Sequence, residues 1–221
     1  MIKQIKKYEI EGFEFYFQDV ENSDTLYWVV QEALIDDEYK LKTINFEDDN
    51  IVIDIGANVG CISIYLAKKY PNIKIYAYEA HPVNYECLLE NIKLNKVDNV
   101  IPFNNAVFSE TGRKLNITLD LGNTGSSSLY VNNVENSCDI ETISFDDIVL
   151  NNNIEKIKLL KIDCEGAEYE IIESSNKMKE LEIENFSAEI HTFMINHNKN
   201  PNKLIDLIHT FNIKNKNIKR L

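Results

Sequence analysis

The strongest periodic signal is Ile51-Val52-Ile53-Asp54-Ile55, a short apolar run rich in β-branched residues, which predicts a buried parallel strand. Small residues follow at Gly56, Ala57, Asn58 and Gly60. A helical stripe then begins: Val59, Ile62, Ser63, Leu66, Ala67 and Tyr70 recur on one face. The same alternation repeats downstream. Strands are predicted at Lys74–Glu79, Val100–Phe103, Ile157–Asp163 and Ile183–Ile190. Helices are predicted after Pro82, with Tyr85, Leu88, Leu89 and Ile92 on one face, around Ile171–Ile172, and through Leu204, Leu207, Ile208 and Phe211. Between them, Lys114–Leu119 alternates like an edge strand, and Glu141–Leu150 reads as a strand end entering a short helix. Strand–helix alternation at this spacing implies an α/β fold, with a mainly parallel sheet covered by helices on both faces.

The first fifty residues follow a different pattern. Tyr8–Phe17 alternates aromatic and polar positions around Gly12, which predicts a hairpin. Ser23 or Asp24 can cap a helix whose Leu26, Val29, Val30 and Ala33 share a face, and on it Tyr27 and Trp28 read as packing residues. We therefore expect a single domain over residues 1–221, in which 1–50 form a cover contributing one wall of a pocket to the core of 51–221.

Composition narrows the partners. The net charge is −13, and six of the 23 basic residues fall after residue 198. The acidic body disfavours nucleic acid. No apolar run reaches the roughly 18 residues of a membrane span. Four scattered cysteines without a CxxC pair are expected as reduced thiols, and the location as cytoplasmic.

Ligands of such sheets sit at the carboxyl ends of the strands, which gathers Asp54–Gly60, Glu79, Asn105, Asp163–Gly166 and Glu189–His191 on one rim. Gly56 and Gly60 suit close approach of backbone to a ligand, and Glu79 suits the two hydroxyls of a ribose. The turn lacks GxGxxG and opens with an acid. Asp54 would repel a pyrophosphate but suits an ammonium, which favours S-adenosylmethionine over NAD. For proton removal the candidates are Asp163, Glu165, Glu189 and His191. His191 is the leading base because its ordinary pKa lies near neutrality; the alternative is a histidine held structurally by Glu165 or Glu189. The carboxylates can instead hold a divalent cation such as Mg²⁺. His81, His197 and His209 read as structural, and Lys161 as a packed or surface lysine.

Ile53-Asp54-Ile55-Gly56-Ala57-Asn58-Val59-Gly60 with Ser63 resembles the first motif of FkbM-type S-adenosylmethionine-dependent methyltransferases. Asn105-Ala106-Val107 with Gly112, Thr142–Asp147, Leu160–Glu168 and Glu189-x-His191 are similar to that family's later segments, so the likeness runs from about Phe46 to His191. It implies a Rossmann-like class I methyltransferase that uses S-adenosylmethionine. Asp54, Gly56, Ala57, Asn58, Gly60 and Ser63 would serve the methionine part, Glu79 the ribose, and Asn105 and Ala106 the adenine edge. It also implies O-methylation of a sugar, glycan or glycosylated metabolite. The rivals are a catalytically silent binding or assembly module and a NAD-dependent oxidoreductase. The Gly122–Leu129 stretch is either a surface loop or a lid. The chain departs from the family's usual ending: after Phe211 there is room for one strand and not for an antiparallel pair. An abbreviated edge is expected there, through which a homo-oligomer can form.

Overall fold

The computed structural model describes residues 4–19, 23, 25–118, 128–130 and 137–221. A hairpin, β1 (Ile5–Ile10) and β2 (Phe13–Gln18), turns at Glu11-Gly12 as predicted. Helix α1 (Thr25–Val29) passes directly into a π-helical turn, Val30–Ile35. The core then alternates: β3 (Ile51–Ile55), α2 (Cys61–Lys69), β4 (Lys74–Tyr78), α3 (Pro82–Asn95) and β5 (Val100–Phe103). Next come β6 (Ala106–Phe108), β7 (Lys114–Thr118), β8 (Ser137–Ser144) and α4 (Phe145–Asn151). The chain closes with β9 (Lys156–Ile162), α5 (Glu168–Ser174), α6 (Lys177–Glu180), β10 (Glu182–Ile190), α7 (Pro201–His209) and β11 (Ile213–Arg220).

The central sheet has six strands in the order β11-β10-β9-β3-β4-β5, and every neighbouring pair is parallel. Both faces are covered, so alternate residues of one strand enter different cores. Val52 joins α2, α3 and the hairpin, whereas Ile53 and Ile55 join the layer containing Ile148, Ile171 and Ile208. This explains why β3 is apolar at nearly every position. A smaller sheet, β6-β8-β7, is parallel on one side of β8 and antiparallel on the other.

The N-terminal cover is tied down by polar groups as well as by Phe15 and Phe17, both fully buried. Asn95 on α3 accepts from the Tyr16 N–H at 3.0 Å and donates to its carbonyl at 2.7 Å, and Asn91 does the same for Gln18 at 2.8 and 3.0 Å. Two amides thus replace a missing strand along β2. The buried face of α3 consequently carries Asn84, Cys87, Leu88, Asn91 and Asn95. Of the expected stripe only Leu88 is fully buried; Tyr85, Leu89 and Ile92 are half-buried.

At the other end, β11 pairs parallel to β10, with Ile183 opposite Ile213 and Ile190 opposite Arg220. The expected single strand is present, but as a parallel edge reached through α7. Lys214, Lys216, Lys219 and Arg220 lie along it, a charge pattern that discourages further strand pairing. Among the described residues no helix is long and apolar enough to cross a membrane.

The tightest constraint is at Gly56 (φ 77°), where an added Cβ would stand 1.7 Å from the Asp163 carbonyl oxygen. Both partners are backbone at the sheet centre, so neither can yield. Gly56→Ala is expected to cost about 3 kcal/mol or more, through overpacking and a strained φ; urea denaturation would measure it.

Candidate active site

β3 and β9 are neighbours whose chains leave toward opposite sides of the sheet, which makes the gap between their carboxyl ends the topological switch point. Two turns meet there. In the first, the Gly56 and Ala57 N–H groups both donate to the Tyr78 carbonyl, at 2.9 and 3.0 Å, and Asn58 takes a left-handed φ of 53°. In the second, Glu165 (φ 53°) and Gly166 (φ 106°) bend the chain, and the buried Glu168 carboxylate accepts from the Cys164 and Gly166 N–H groups at 2.9 and 3.0 Å. Glu168, at the first position of α5, is a functional neighbour that reading the sequence missed. The available signal was an acid in the first turn of a helix.

The glycines are also required by packing, whatever approaches them from the cavity. Gly56 makes room for Asp163, and Gly60 (φ 90°) for Leu88 and Ile64, whose side chains would lie 2.4 and 3.2 Å from an added Cβ. Lys161 is packed, the first of the two readings expected of it, and it does more than pack. It lies directly across from Asp54 in the β3–β9 ladder and is only 3% exposed. Its ammonium donates to the Gly56 carbonyl at 2.6 Å and the Ile55 carbonyl at 3.3 Å, and lies 3.4 Å from Asp54 and 3.6 Å from Asp163. Burial works against its charge, but Asp54, Asp163 and Glu189 outweigh burial and hold its pKa above the ordinary lysine range. Asp54 is itself buried and accepts from the Ser63 hydroxyl at 2.6 Å. Asp54, Gly60 and Ser63 therefore lie behind the cavity wall and not on it. The charge of Asp54 is answered by Lys161, where an ammonium of a ligand had been expected.

A cavity of about 340 Å³ opens above the two turns, within the range of small-molecule sites. Gly56, Ala57, Asn58, Glu79, Asn105 and Ala106 line it, together with Asp163, Glu165 and Glu189. Glu79 accepts from the Asn58 N–H at 2.7 Å and the His81 N–H at 2.9 Å; burial nevertheless pushes its carboxyl up to about 7. His81 is the N-cap of α3, accepting from Val83 and Asn84 N–H groups, so it is structural as expected. Its Nε2 has no hydrogen-bond partner among the described residues, although His81 also borders the cavity. The cover supplies the remaining wall through Thr25, Trp28, Val29, Glu32, Ala33 and Tyr39. Trp28 and Tyr27 are 56% and 53% exposed, so they are not the packing residues that were expected. Of the Gly122–Leu129 stretch, residues 122–127 lie outside the described residues; Ser128 donates to the Glu165 carbonyl at 2.8 Å and Leu129 lines the cavity.

The strand-end acids form one connected group. The Tyr39 hydroxyl reaches Asp163 at 2.8 Å and Glu189 at 3.2 Å, and Lys219 lies 3.6 Å from Glu189. Burial, then the two carboxylates, raise the Tyr39 phenol well above its usual range, so it remains a donor. His191 does not border the cavity. Its Nδ1 is 3.0 Å from Glu168 and its Nε2 3.3 Å from Glu165. Burial opposes its charge, yet the Glu168 bond and the Glu165 charge carry its pKa up to about 9. The ring is a protonated clamp at neutral pH, an arrangement that favours the expected alternative of a histidine held by Glu165 over the leading expectation of a base. Burial and neighbouring carboxylates lift Glu165 to about 7 against the pull of His191.

One atom each of Asp163, Glu189 and His191 lies within 4.8 Å of the others, which is close enough to suggest a cation site. The donor set does not fit one. Both His191 nitrogens face carboxylates, Tyr39 bridges the two acids, and Lys161 already places a positive charge beside Asp163. Because His191 titrates higher folded than unfolded, its stabilisation is complete below pH 6.5 and is lost as pH rises through about 9. Stability should therefore fall over that interval, and His191→Gln should flatten the fall; urea midpoints at a series of pH values would check it.

The Methyltransferase FkbM domain matches residues 54–214. Methyltransferase sdnD of Sordaria araneosa is 28% identical over 158 residues, covering 58% of this chain and 61% of its own. The hexuronic acid methyltransferase AglP of Haloferax volcanii is 27% identical over 146 residues, covering 66% and 57%. The chain thus spans roughly three fifths of the length of these relatives. Among solved structures, M. jannaschii TYW2 in complex with AdoMet is 29% identical over 47% of this chain and 44% of that one, with a TM-score of 0.35. The domain match covers the switch point, both turns and every strand-end acid, and the chain belongs to the FkbM methyltransferase domain family, whose cofactor is S-adenosylmethionine.

Proposed function

We propose that the chain transfers a methyl group from S-adenosylmethionine to a hydroxyl of a sugar, glycan or glycosylated metabolite. The observation that carries this reading is the cavity at the switch point, where a buried Glu79 lies beside the Gly56–Asn58 turn and a row of acids lies beyond it. Bound there, S-adenosylmethionine supplies an electrophilic methyl on a positively charged sulfur.

The chain's own groups suit the remaining work. Asn58 and His81 N–H groups hold Glu79 in place, so its carboxylate can accept from the two ribose hydroxyls. Asn105 and Ala106 border the same cavity and serve the adenine edge. Lys161 holds the Gly56 carbonyl and thereby the turn against which the methionine part lies. The acidic wall favours a cationic sulfonium. Asp163, oriented by Tyr39, takes the proton of the acceptor hydroxyl; Glu189 and Glu165 share its surroundings, and His191 holds Glu165. The name of the Haloferax relative, a hexuronic acid methyltransferase, supports the sugar class of the acceptor and not the charge of that sugar. Four free thiols support a reducing, cytoplasmic setting.

Only the ionised carboxylate presents both oxygens as acceptors to the two ribose hydroxyls. With Glu79 at about 7, cofactor affinity should rise between pH 6 and pH 8. Glu79→Gln should remove that rise and weaken binding about tenfold, as read by calorimetry. Asp163→Asn should lower kcat about 100-fold with little change in cofactor affinity. Transfer of labelled methyl to a cell extract should survive EDTA, because the acid group is already occupied by Tyr39 and Lys161. Unchanged turnover in Asp163→Asn, or its abolition by EDTA, would refute these assignments.

A further inference from the structure

Trp28 is the only tryptophan in the chain, and it borders the cavity while remaining 56% exposed. A large ring in that position is uncovered apolar surface, retained where burial would have been favourable. The ring is braced: Tyr27 packs against it with centroids 5.2 Å apart and planes at 78°. Local backbone also sets its position. Helix α1 runs without a break into the π-helical turn, closed by the Asp36 N–H donating to the Gln31 carbonyl at 2.8 Å. Wide turns of this kind are rare and concentrate at functional sites. Trp28 and Glu32, four residues apart on this segment, both border the cavity that Asp163 and Glu189 also line.

We propose that Trp28 and Glu32 form the acceptor subsite, and that it takes a neutral pyranose. This rests on methyl transfer to a sugar hydroxyl. A pyranose has a face of weakly positive C–H groups, complementary to the negative face of an indole, and a rim of hydroxyl donors, complementary to carboxylates. Glu32, Asp163, Glu165 and Glu189 supply those acceptors on the cavity wall. The same four acids select against a sugar acid. Both nearby lysines are already engaged: Lys161 with Asp54, Asp163 and two backbone carbonyls, and Lys219 with Glu38 at 2.5 Å and Glu189 at 3.6 Å, so neither has a free charge for a uronate. Neutral hydroxyls are accepted on the indole, and an added carboxylate is rejected by charge.

Because Trp28 is the sole indole, its emission reports this subsite alone. The full chain, saturated with S-adenosylhomocysteine, is titrated with methyl α-glucopyranoside, methyl β-galactopyranoside, methyl α-mannopyranoside and sodium glucuronate at constant ionic strength. A saturable emission change with at least one neutral glycoside and none with glucuronate is the expected result. With that glycoside as acceptor, Trp28→Ala should raise KM at least tenfold while calorimetric affinity for S-adenosylmethionine stays within twofold. Trp28→Phe should restore KM to within about threefold of the parent, and Glu32→Gln should raise it severalfold. A flat titration across the panel, a preference for glucuronate, or an unchanged KM in Trp28→Ala overturns the subsite. Failure of the parent chain to bind S-adenosylmethionine is a separate result; it refutes the methyl-transfer reading and leaves the glycoside titration to decide the subsite.

Discussion

The buried ammonium of Lys161 is the interaction on which the rest of the site depends. An unpaired charge at 3% exposure would be prohibitively costly. It is tolerated because two carboxylates and two carbonyls surround it at 2.6 to 3.6 Å. Those partners come from three places: the end of β3, the turn after it, and the first residue past β9. One charge therefore sets the spacing of the two turns that form the floor of the cavity. The register that places Asp54 opposite Lys161 is the register that presses Gly56 against the Asp163 carbonyl. Sheet pairing and site assembly are a single event here.

From this floor the acids divide into two groups with different work. Asp54 and Glu168 are buried and hold backbone or cations, which makes them part of the frame. Asp163, Glu165 and Glu189 reach the cavity. His191 connects the groups, with one nitrogen toward Glu168 and the other toward Glu165. Its raised pKa follows from that position between two carboxylates, and makes it a clamp instead of a proton acceptor at neutral pH. The Thr142–Asp147 stretch is likewise architectural. Ser144 caps α4, and Asp146 accepts from the Ser175 hydroxyl and the Lys177 N–H, joining α4 to the start of α6.

The N-terminal cover completes the site. Tyr39 reaches both strand-end acids, and Glu38 is bound by Lys219 of β11 at 2.5 Å and by Asn217 through its carbonyl at 2.7 Å. The end of the cover and β11 are thereby fastened to each other beside the cavity, which Tyr39 and Leu221 both line. Residues of α1 and its π-helical turn provide one wall of the cavity.

Much of this was legible in one dimension. Short apolar runs such as Ile51–Ile55, interrupted by Asp54, and Ile157–Ile162, interrupted by Lys158 and Lys161, read as strands covered on both faces, and their alternation with helical stripes implies a parallel sheet with ligands at its carboxyl ends. The small residues after Ile55 and the acid closing β4 marked the cavity floor. Partners were not legible, because they depend on register and on contacts far apart in the chain. Lys161 reads as an ordinary strand lysine until β9 lies beside β3 and sets it opposite Asp54. Asn91 and Asn95 interrupt a helix stripe until β2 comes to rest on α3. His191 has an ordinary pKa until two carboxylates close on it, and Trp28 reads as a packing residue until the packed cover leaves it exposed at the edge of the cavity. Periodicity determines which elements form and which way they face; only the packed sheet decides whose charge each buried group must answer.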